Sequence, residues 1–371
     1  MKIQVLQENL SKAVSICSRF ASSRIQLPVL ANILLKTTKS KFTLSATNLE
    51  MSVSISIGAK IEKEGQITVP ARVLNDLILN LNTGTVNLEV EKESLRITNL
   101  SFESTISGMN ASDFPSLPEE VGVDVLKISS NEILDALSCT LFAVSSDETR
   151  PVLTGTLIII KESNLTLVAT DGFRLSQKKI NISKVKEEKK MILPKNALAE
   201  LSRLVSGEDV QFSFKKSEKQ VVFGFDDIIL GSRIIEGEFP DFERIIPKET
   251  KIKVVLDKEE FLRGVKLASV FARDAANVVK LVIDKDFIKI SAEGGQGSQT
   301  TKIEAKVDGN GKTDNEEFII AFNYRFLEDF LNAVKGDDIQ LEFSDPNAPA
   351  LFLDPKDANF LHIIMPVRLQ S

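Results

Sequence analysis

The chain predicts an α+β fold of three repeated units, each carrying two helices on antiparallel sheet. Three observations carry this reading. Segments of like sequence recur in three series at near-constant spacing. One series has apolar residues at helical period, and another alternates as strands do. Between the helical stretches lie many short strands, with most of the 12 prolines and 18 glycines in the turns. That pattern places helices on one face of antiparallel sheet.

The first series is LQENLSKAVSICSRF from Leu6, ISSNEILDALSCTLF from Ile128 and LDKEEFLRGVKLASVF from Leu256. Each reads as a strand end, a polar capping region and an amphipathic helix. In the first copy Leu10, Ala13, Val14, Cys17 and Ala21 fall on one helical face, with Ser11, Lys12, Ser15 and Arg19 away from it.

The second series is TLSATNLEMS from Thr43, TLVATDGFRLS from Thr166 and KISAEGGQGSQ from Lys289, each 123 residues after the last. These are strands that turn at Asn48, at Asp171-Gly172 and at Gly294-Gly295. The third series is ITVPARVLNDLILNL from Ile67, MILPKNALAELSRLV from Met191 and FIIAFNYRFLEDFLNAV from Phe318. Each is an apolar strand feeding a helix, with Pro70 and Pro194 at the junction, where proline suits the first turn. Two connectors, ASDFPSLPEE (111 to 120) and EGEFPDFERIIP (236 to 247), share an acid-Phe-Pro core. They set expected domain limits of 1–120, 121–247 and 248–371.

Composition narrows the function. A chain of 371 residues suggests two or three domains at roughly 100–200 residues each. Hydrophobic residues make up 43%, enough for real cores. No apolar run reaches the about 18 residues of a membrane span. The N-terminal segment lacks a signal-peptide pattern. Two cysteines, Cys17 and Cys139, stand at equivalent helix positions and point to buried thiols in a reducing, cytoplasmic setting. The net charge of −6 argues against tight nucleic-acid binding by the chain as a whole, but leaves room for a local basic face.

Catalytic material is thin. The lone histidine, His362, lies in an apolar strand with no nucleophile motif near it. There is no CxxC, HExxH, GxSxG or GxxxxGK[ST], so neither a metal nor another cofactor is expected. The segment AEGGQGSQTTK lacks the ending of a phosphate loop and reads as a hairpin tip. An enzyme using Asp171 and Arg174 would need a partner nucleophile, base or metal cluster that the sequence does not supply. A repeat adaptor that binds peptides without DNA is the other alternative.

RIQLPVLANILL (24 to 35), TVPAR (68 to 72), DFPSLP, DETRPVLTG (147 to 155), ATDGFRL (169 to 175), EFPDFERIIP, FNYRFLEDFL (322 to 331) and MPVRL (365 to 369) occur in this order on the three-unit repeat. Together they resemble the bacterial sliding clamps, the beta subunits of DNA polymerase III. The resemblance covers essentially the whole chain. It implies DNA-clamp units in a head-to-tail homodimer, a six-domain ring with helices lining a hole threaded by double-stranded DNA. A loader opens such a ring with ATP, and the clamp itself hydrolyses nothing. Such clamps hold the replicative DNA polymerase, the clamp loader, repair polymerases and mismatch-repair proteins through short linear motifs.

The resemblance also assigns residues. A peptide pocket draws on Leu153, Thr170, Gly172, Phe173, Arg174 and Leu175, on Pro240, Arg244 and Ile245, and on Asn323, Phe326, Ala350, Ile363, Met365, Pro366, Val367 and Arg368. Such a pocket is apolar with a few polar groups for orientation. Phe173 stands where well-known members have histidine. Arg24, Arg72, Arg150, Lys195 and Arg203 are the expected DNA contacts. Pro151 and Val152 replace two aromatics that often follow the counterpart of Arg150. Phe102 and the segment Ala272 to Val278 match the two ends that meet in the dimer. The polar faces of the helices carry only a small excess of cations, so a positive lumen is an implication of the family alone.

Overall fold

The computed structural model describes residues 1–22, 27–207, 209–309, 312–313 and 316–368. Among these are six α-helices: α1 (Gln7–Ser18), α2 (Ala71–Leu79), α3 (Ser130–Thr140), α4 (Lys195–Leu204), α5 (Lys258–Ala272) and α6 (Tyr324–Ala333). They are the helices that the first and third repeat series predict. All pairings between the strands are antiparallel.

The chain divides into two compact units. Unit 1 holds residues 1–130 and 203–234, and unit 2 holds 131–202 and 235–371. The units are therefore not the sequence repeats, because the middle repeat contributes to both. The sheets show why. In unit 1 an eight-stranded sheet runs from Leu126–Ile128 to Gly65–Pro70, and Ile228–Arg233 of the middle repeat pairs with Met51–Ile57 of the first. In unit 2 a nine-stranded sheet joins Arg174–Asn181 of the middle repeat to Phe360–Ile364 of the third. Each unit also has a five-stranded sheet.

The helices bury one face against these sheets. In α1, Leu10, Ala13, Val14 and Cys17 are fully buried. The helix ends at Ser18, so Ala21 leaves the predicted row and Phe20 completes the core instead. Pro70 and Pro194 are the last strand residues before α2 and α4, where the absent N–H costs no helical bond. The third repeat has Asn323 at that junction, and its side chain caps α6 by accepting from the Arg325 amide at 3.0 Å. The Gly294–Gly297 stretch closes a hairpin between Phe287–Gly294 and Gly297–Glu304.

At the seam of unit 1, the Thr47–Met51 turn is held by side chains. Leu49 N–H donates to Thr47 Oγ1 at 3.0 Å, and Thr47 Oγ1 donates to Met51 C=O at 3.0 Å. Asn48 Oδ1 accepts from the amides of Glu50 and Met51. Leu49 takes φ +74°, a left-handed position that costs a side-chain-bearing residue roughly 1 kcal/mol. The Arg233 amide then donates to Glu50 C=O at 2.8 Å, tying the neighbouring strand to the turn.

Candidate functional site

The corresponding turn in unit 2, Thr170–Arg174, links strands Asn164–Thr170 and Arg174–Asn181. Thr170 Oγ1 accepts from Gly172 N–H at 3.1 Å and donates to Arg174 C=O at 2.6 Å. Asp171 Oδ1 accepts from the amides of Phe173 and Arg174 at 2.9 and 3.1 Å. This is an Asx turn, and it needs a residue with φ +93° at its tip, which Gly172 supplies. The Met365 amide donates to Phe173 C=O at 2.8 Å, and the Val367 amide donates to Ala321 C=O at 2.8 Å. The segment after the last strand is thus fixed beside the turn.

Arg174 locks this arrangement. Its side chain is only 10% exposed. Nε donates to Asp171 at 3.0 Å, Nη1 to Asp329 of α6 at 2.5 Å and Nη2 to Phe142 C=O at 2.6 Å. The guanidinium lies 4.4 Å from the Phe326 ring centroid. A planar fork with several fixed donors suits such a junction. Every one of these bonds is internal, so Arg174 is a positioning residue for the turn rather than a free recognition group.

What the turn holds outward is apolar. Phe173 is 63% exposed, and Ile245, Met365 and Val367 are also exposed. Leu153, Thr170, Leu175, Ala350 and Ile363 lie buried beneath and form the base. Leu175 and Ile363 pack in one core cluster with Phe242 and Leu351, and Val152 and Phe239 pack at its edge. Val152, Phe239, Asp171, Phe142 and Asp329 are supporting residues outside the assigned pocket set. Only the contacts of Arg174 bring out the last three. The remaining assigned residues sit at the margins. Pro240, Arg244 and Arg368 are exposed, Pro366 is part-buried, and Arg244 pairs with Asp241 at 2.6 Å.

The base is braced by two polar groups, one buried and one part-buried. His362 is wholly buried between aromatic rings, stacked on Phe330, with Nδ1 bonded to Ser176 Oγ at 2.7 Å. Burial, and secondarily the Arg174 charge, push it down to about 3, so the ring is neutral at physiological pH. Nearby, Asp135 of α3 sits between Lys178 at 2.6 Å and Lys335 at 2.5 Å, and Lys178 also pairs with Asp357. Burial opposes ionisation of Asp135, but the hydrogen bonds from both lysines outweigh it and hold its carboxyl below the usual range. Lys335, just beyond α6, is thereby matched by an acid.

The expected DNA contacts are scattered over separate elements. Arg24 lies outside the described residues. Arg72 is exposed on α2, 4.0 Å from Asp76. Lys195 opens α4, and Arg203 lies exposed in its last turn. Arg150 pairs with Asp147 at 3.0 Å and reaches Asp171 C=O at 3.4 Å, beside the pocket turn. Of the assigned dimer residues, Phe102 and Val278 are part-buried. Ala272 has no exposed surface: it faces the core of unit 2. The apolar side chains that α5 presents to solvent nearby are Leu267 and Val270.

Both cysteines are buried, and burial pushes the Cys139 thiol up to about 12. Among the described residues no cluster of histidine, cysteine and carboxylates can hold a metal. No helix in them is long and apolar enough to cross a membrane.

A repeated α+β scaffold whose best-built surface is an apolar strip, with Arg174 beneath it bonded internally, has the build of a binding protein. The chain matches the DNA polymerase III beta subunit in three consecutive domains: N-terminal over residues 1–118, central over 127–241 and C-terminal over 243–368. It is 30% identical to the beta sliding clamp of Synechococcus elongatus, with both chains covered in full. It is also 30% identical to that of Staphylococcus aureus, with 94% of each covered. The sliding clamp of Bacillus subtilis superposes with a TM-score of 0.94 at 27% identity, and that of Caulobacter crescentus with 0.92 at 29%, each over the whole of both chains. The chain belongs to the DNA polymerase III beta subunit family, the beta sliding clamps. Its function is that of a DNA sliding clamp, a processivity factor and not an enzyme.

Proposed function

We propose that two copies of this chain close head to tail into a ring around double-stranded DNA. The exposed strip of Phe173, Met365, Val367 and Ile245 then captures short linear motifs of polymerases, the clamp loader and repair proteins. Three domains per chain, 1–120, 121–247 and 248–371, would give the ring six, and the three matched spans support those limits. Cytoplasmic action follows from this role.

One observation supports the peptide reading above others: a fixed apolar strip on a backbone pinned by Asp171, Thr170 and Arg174, with Arg174 already bonded to Asp171 and Asp329. A rigid base lowers the ordering cost of binding a flexible partner segment. Arg72, Lys195 and Arg203, exposed or part-exposed on α2 and α4, suit weak sequence-independent phosphate contacts, which are enough once the link is topological. A net negative chain is compatible with that arrangement, because threading requires no high affinity.

Retention on DNA tests the ring. The protein is loaded by an active clamp loader and ATP onto nicked circular plasmid, washed in high salt, and the plasmid is then linearised. Retention that survives salt and ends on linearisation is the expected result, since ionic contacts alone are screened. Loss from the circle in salt overturns encirclement and leaves a peptide-binding adaptor.

A further inference from the structure

Unit 1 contains a cleft of 330 Å3 that the sliding-clamp reading does not use. It opens between one face of the eight-stranded sheet and the connector at 111–119. This is the lower end of the size range of small-ligand pockets. Its floor is a row of hydroxyls. Thr43 faces Ser56 at 3.3 Å, and Ser45 faces Ser54 at 2.9 Å, as cross-strand pairs. Phe114 and Leu117 of the connector pack with Leu34 along one side, and Ile229, on the strand beyond the hydroxyls, lines the opposite side. At the mouth Lys36 pairs with Glu119 at 2.6 Å, and Lys41 and Asp227 add one charge of each sign.

The chemistry selects a ligand class. Each hydroxyl pair spends one O–H internally and keeps another O–H and several lone pairs. Thr43 and Ser45 are two residues apart on one strand, as are Ser54 and Ser56 on the next, so the pairs repeat every ~6.8 Å. An extended peptide presents its backbone groups at that same interval. The balanced mouth favours no net charge, and the walls accept one apolar side chain.

Unit 2 shows that three of the four hydroxyls are particular to this place, since only Thr43 keeps a hydroxyl counterpart, Thr166. By the 123-residue offset, Ser45 corresponds to Val168 and Ser54 to Gln177. There Val168 packs with Leu157 and Phe242 in a filled apolar cluster. In unit 1 the hydroxyl floor borders an open cleft, with Phe114, Leu34 and Leu117 packed as an apolar cluster at its side.

We propose that this cleft is a second binding site, taking an uncharged extended peptide segment with one apolar side chain. It does not depend on the peptide reading of unit 2.

The test uses the full chain with 13C-labelled isoleucine, leucine and methionine methyls, titrated with acetyl-Ser-Leu-Ser-amide. Saturable shifts at Leu34, Leu117 and Ile229 are expected. The double variant Ser45→Val, Ser54→Val removes both partners together, so neither hydroxyl is left unpaired, and it should weaken binding about tenfold. If that variant does not fold, Leu117→Ala, on the connector, should weaken binding through loss of the wall. The proposal is overturned if no saturable shift appears, if the folded variant binds as tightly as the parent, or if only Ile363 and Met365 respond. A failure of the unit 2 surface would instead show as silent Ile363 and Met365 methyls with an aromatic peptide, leaving the unit 1 signals to be read alone.

Discussion

The turns at Thr47–Met51 and Thr170–Arg174 share one backbone and differ in what they present. In both, a threonine hydroxyl bridges the tip amide and the strand return, and an Asx carboxyl or amide oxygen takes two further amides. In both, an amide at the end of the seam strand (Arg233) or just past it (Met365) closes on the carbonyl of the residue after the tip, at 2.8 Å. Yet one tip reads Leu49-Glu50-Met51 and the other Gly172-Phe173-Arg174. The difference teaches that the repeat conserves a hydrogen-bonded frame, while the side chains hung on it decide whether the seam is a pocket. Only unit 2 adds an arginine that reaches a helix, so only there is the turn clamped from below.

Removing the clamp should have the largest effect. Arg174→Ala strands Asp171 and Asp329 and leaves the Phe142 carbonyl without its donor. A loss of about 3 kcal/mol is expected in urea denaturation, with peptide binding at Phe173 abolished. The equivalent change in unit 1, Met51→Ala, breaks no such network and should cost clearly less. Equal costs would erase the distinction between the turns.

Acid should affect unit 2 next, through His362. Its folded pKa of about 3 lies below the ordinary 6.5, so the unfolded chain binds more protons at mildly acidic pH. Stability is therefore intact above 6.5 and falls as the pH drops from there towards 3, at up to about 1.4 kcal/mol per pH unit. His362→Gln should flatten the slope of stability between pH 6.5 and 5, before Asp135, held low by Lys178 and Lys335, begins to protonate. An unchanged slope would mean the imidazole is not the titrating group.

Smaller effects come from exchanging the tips. Gly172→Ala places a Cβ at φ +93°, 3.2 Å from Arg150 Nη1, and should cost about 1 kcal/mol. Leu49→Gly relieves a strained residue and should stabilise by a few tenths of a kcal/mol to about 1 kcal/mol. Thermal melts that move both variants the same way would contradict a shared frame. The smallest change in stability is expected for Phe173→Ala, since that ring lies mostly in water. Calorimetry with an aromatic peptide should nevertheless show at least about a fivefold loss of affinity.

Much of this was legible in the residues. Helical period and the recurrence of three segment series placed all six helices, because an amphipathic face is local information. Asp171-Gly172 and Asn48 marked their turns through local side-chain bonding. Leu49 was harder to foresee, since a leucine at positive φ carries no signal of its own and follows Asn48 only because the frame is repeated. Ala272 looked like an interface residue by position, but tertiary packing turned it into the core and put Leu267 and Val270 outside. Asn323 matched a pocket position, while the fold uses its side chain as the α6 cap.

By itself, the sequence determined the repeat, the elements within it and the buried thiols through spacing along the chain, and the family through the resemblance of its ordered motifs. Tertiary structure alone decided that the compact units cut through the middle repeat, because strand pairing across a seam joins residues far apart in sequence. It alone decided that Arg174 is bonded to Asp329 and Phe142 rather than free, because an arginine's partners are set by which elements pack around it. It alone left unit 1 with an open hydroxyl-floored cleft where unit 2 is filled, since whether Phe114 and Leu117 fill a space as Phe242 does depends on how each connector lies across its sheet.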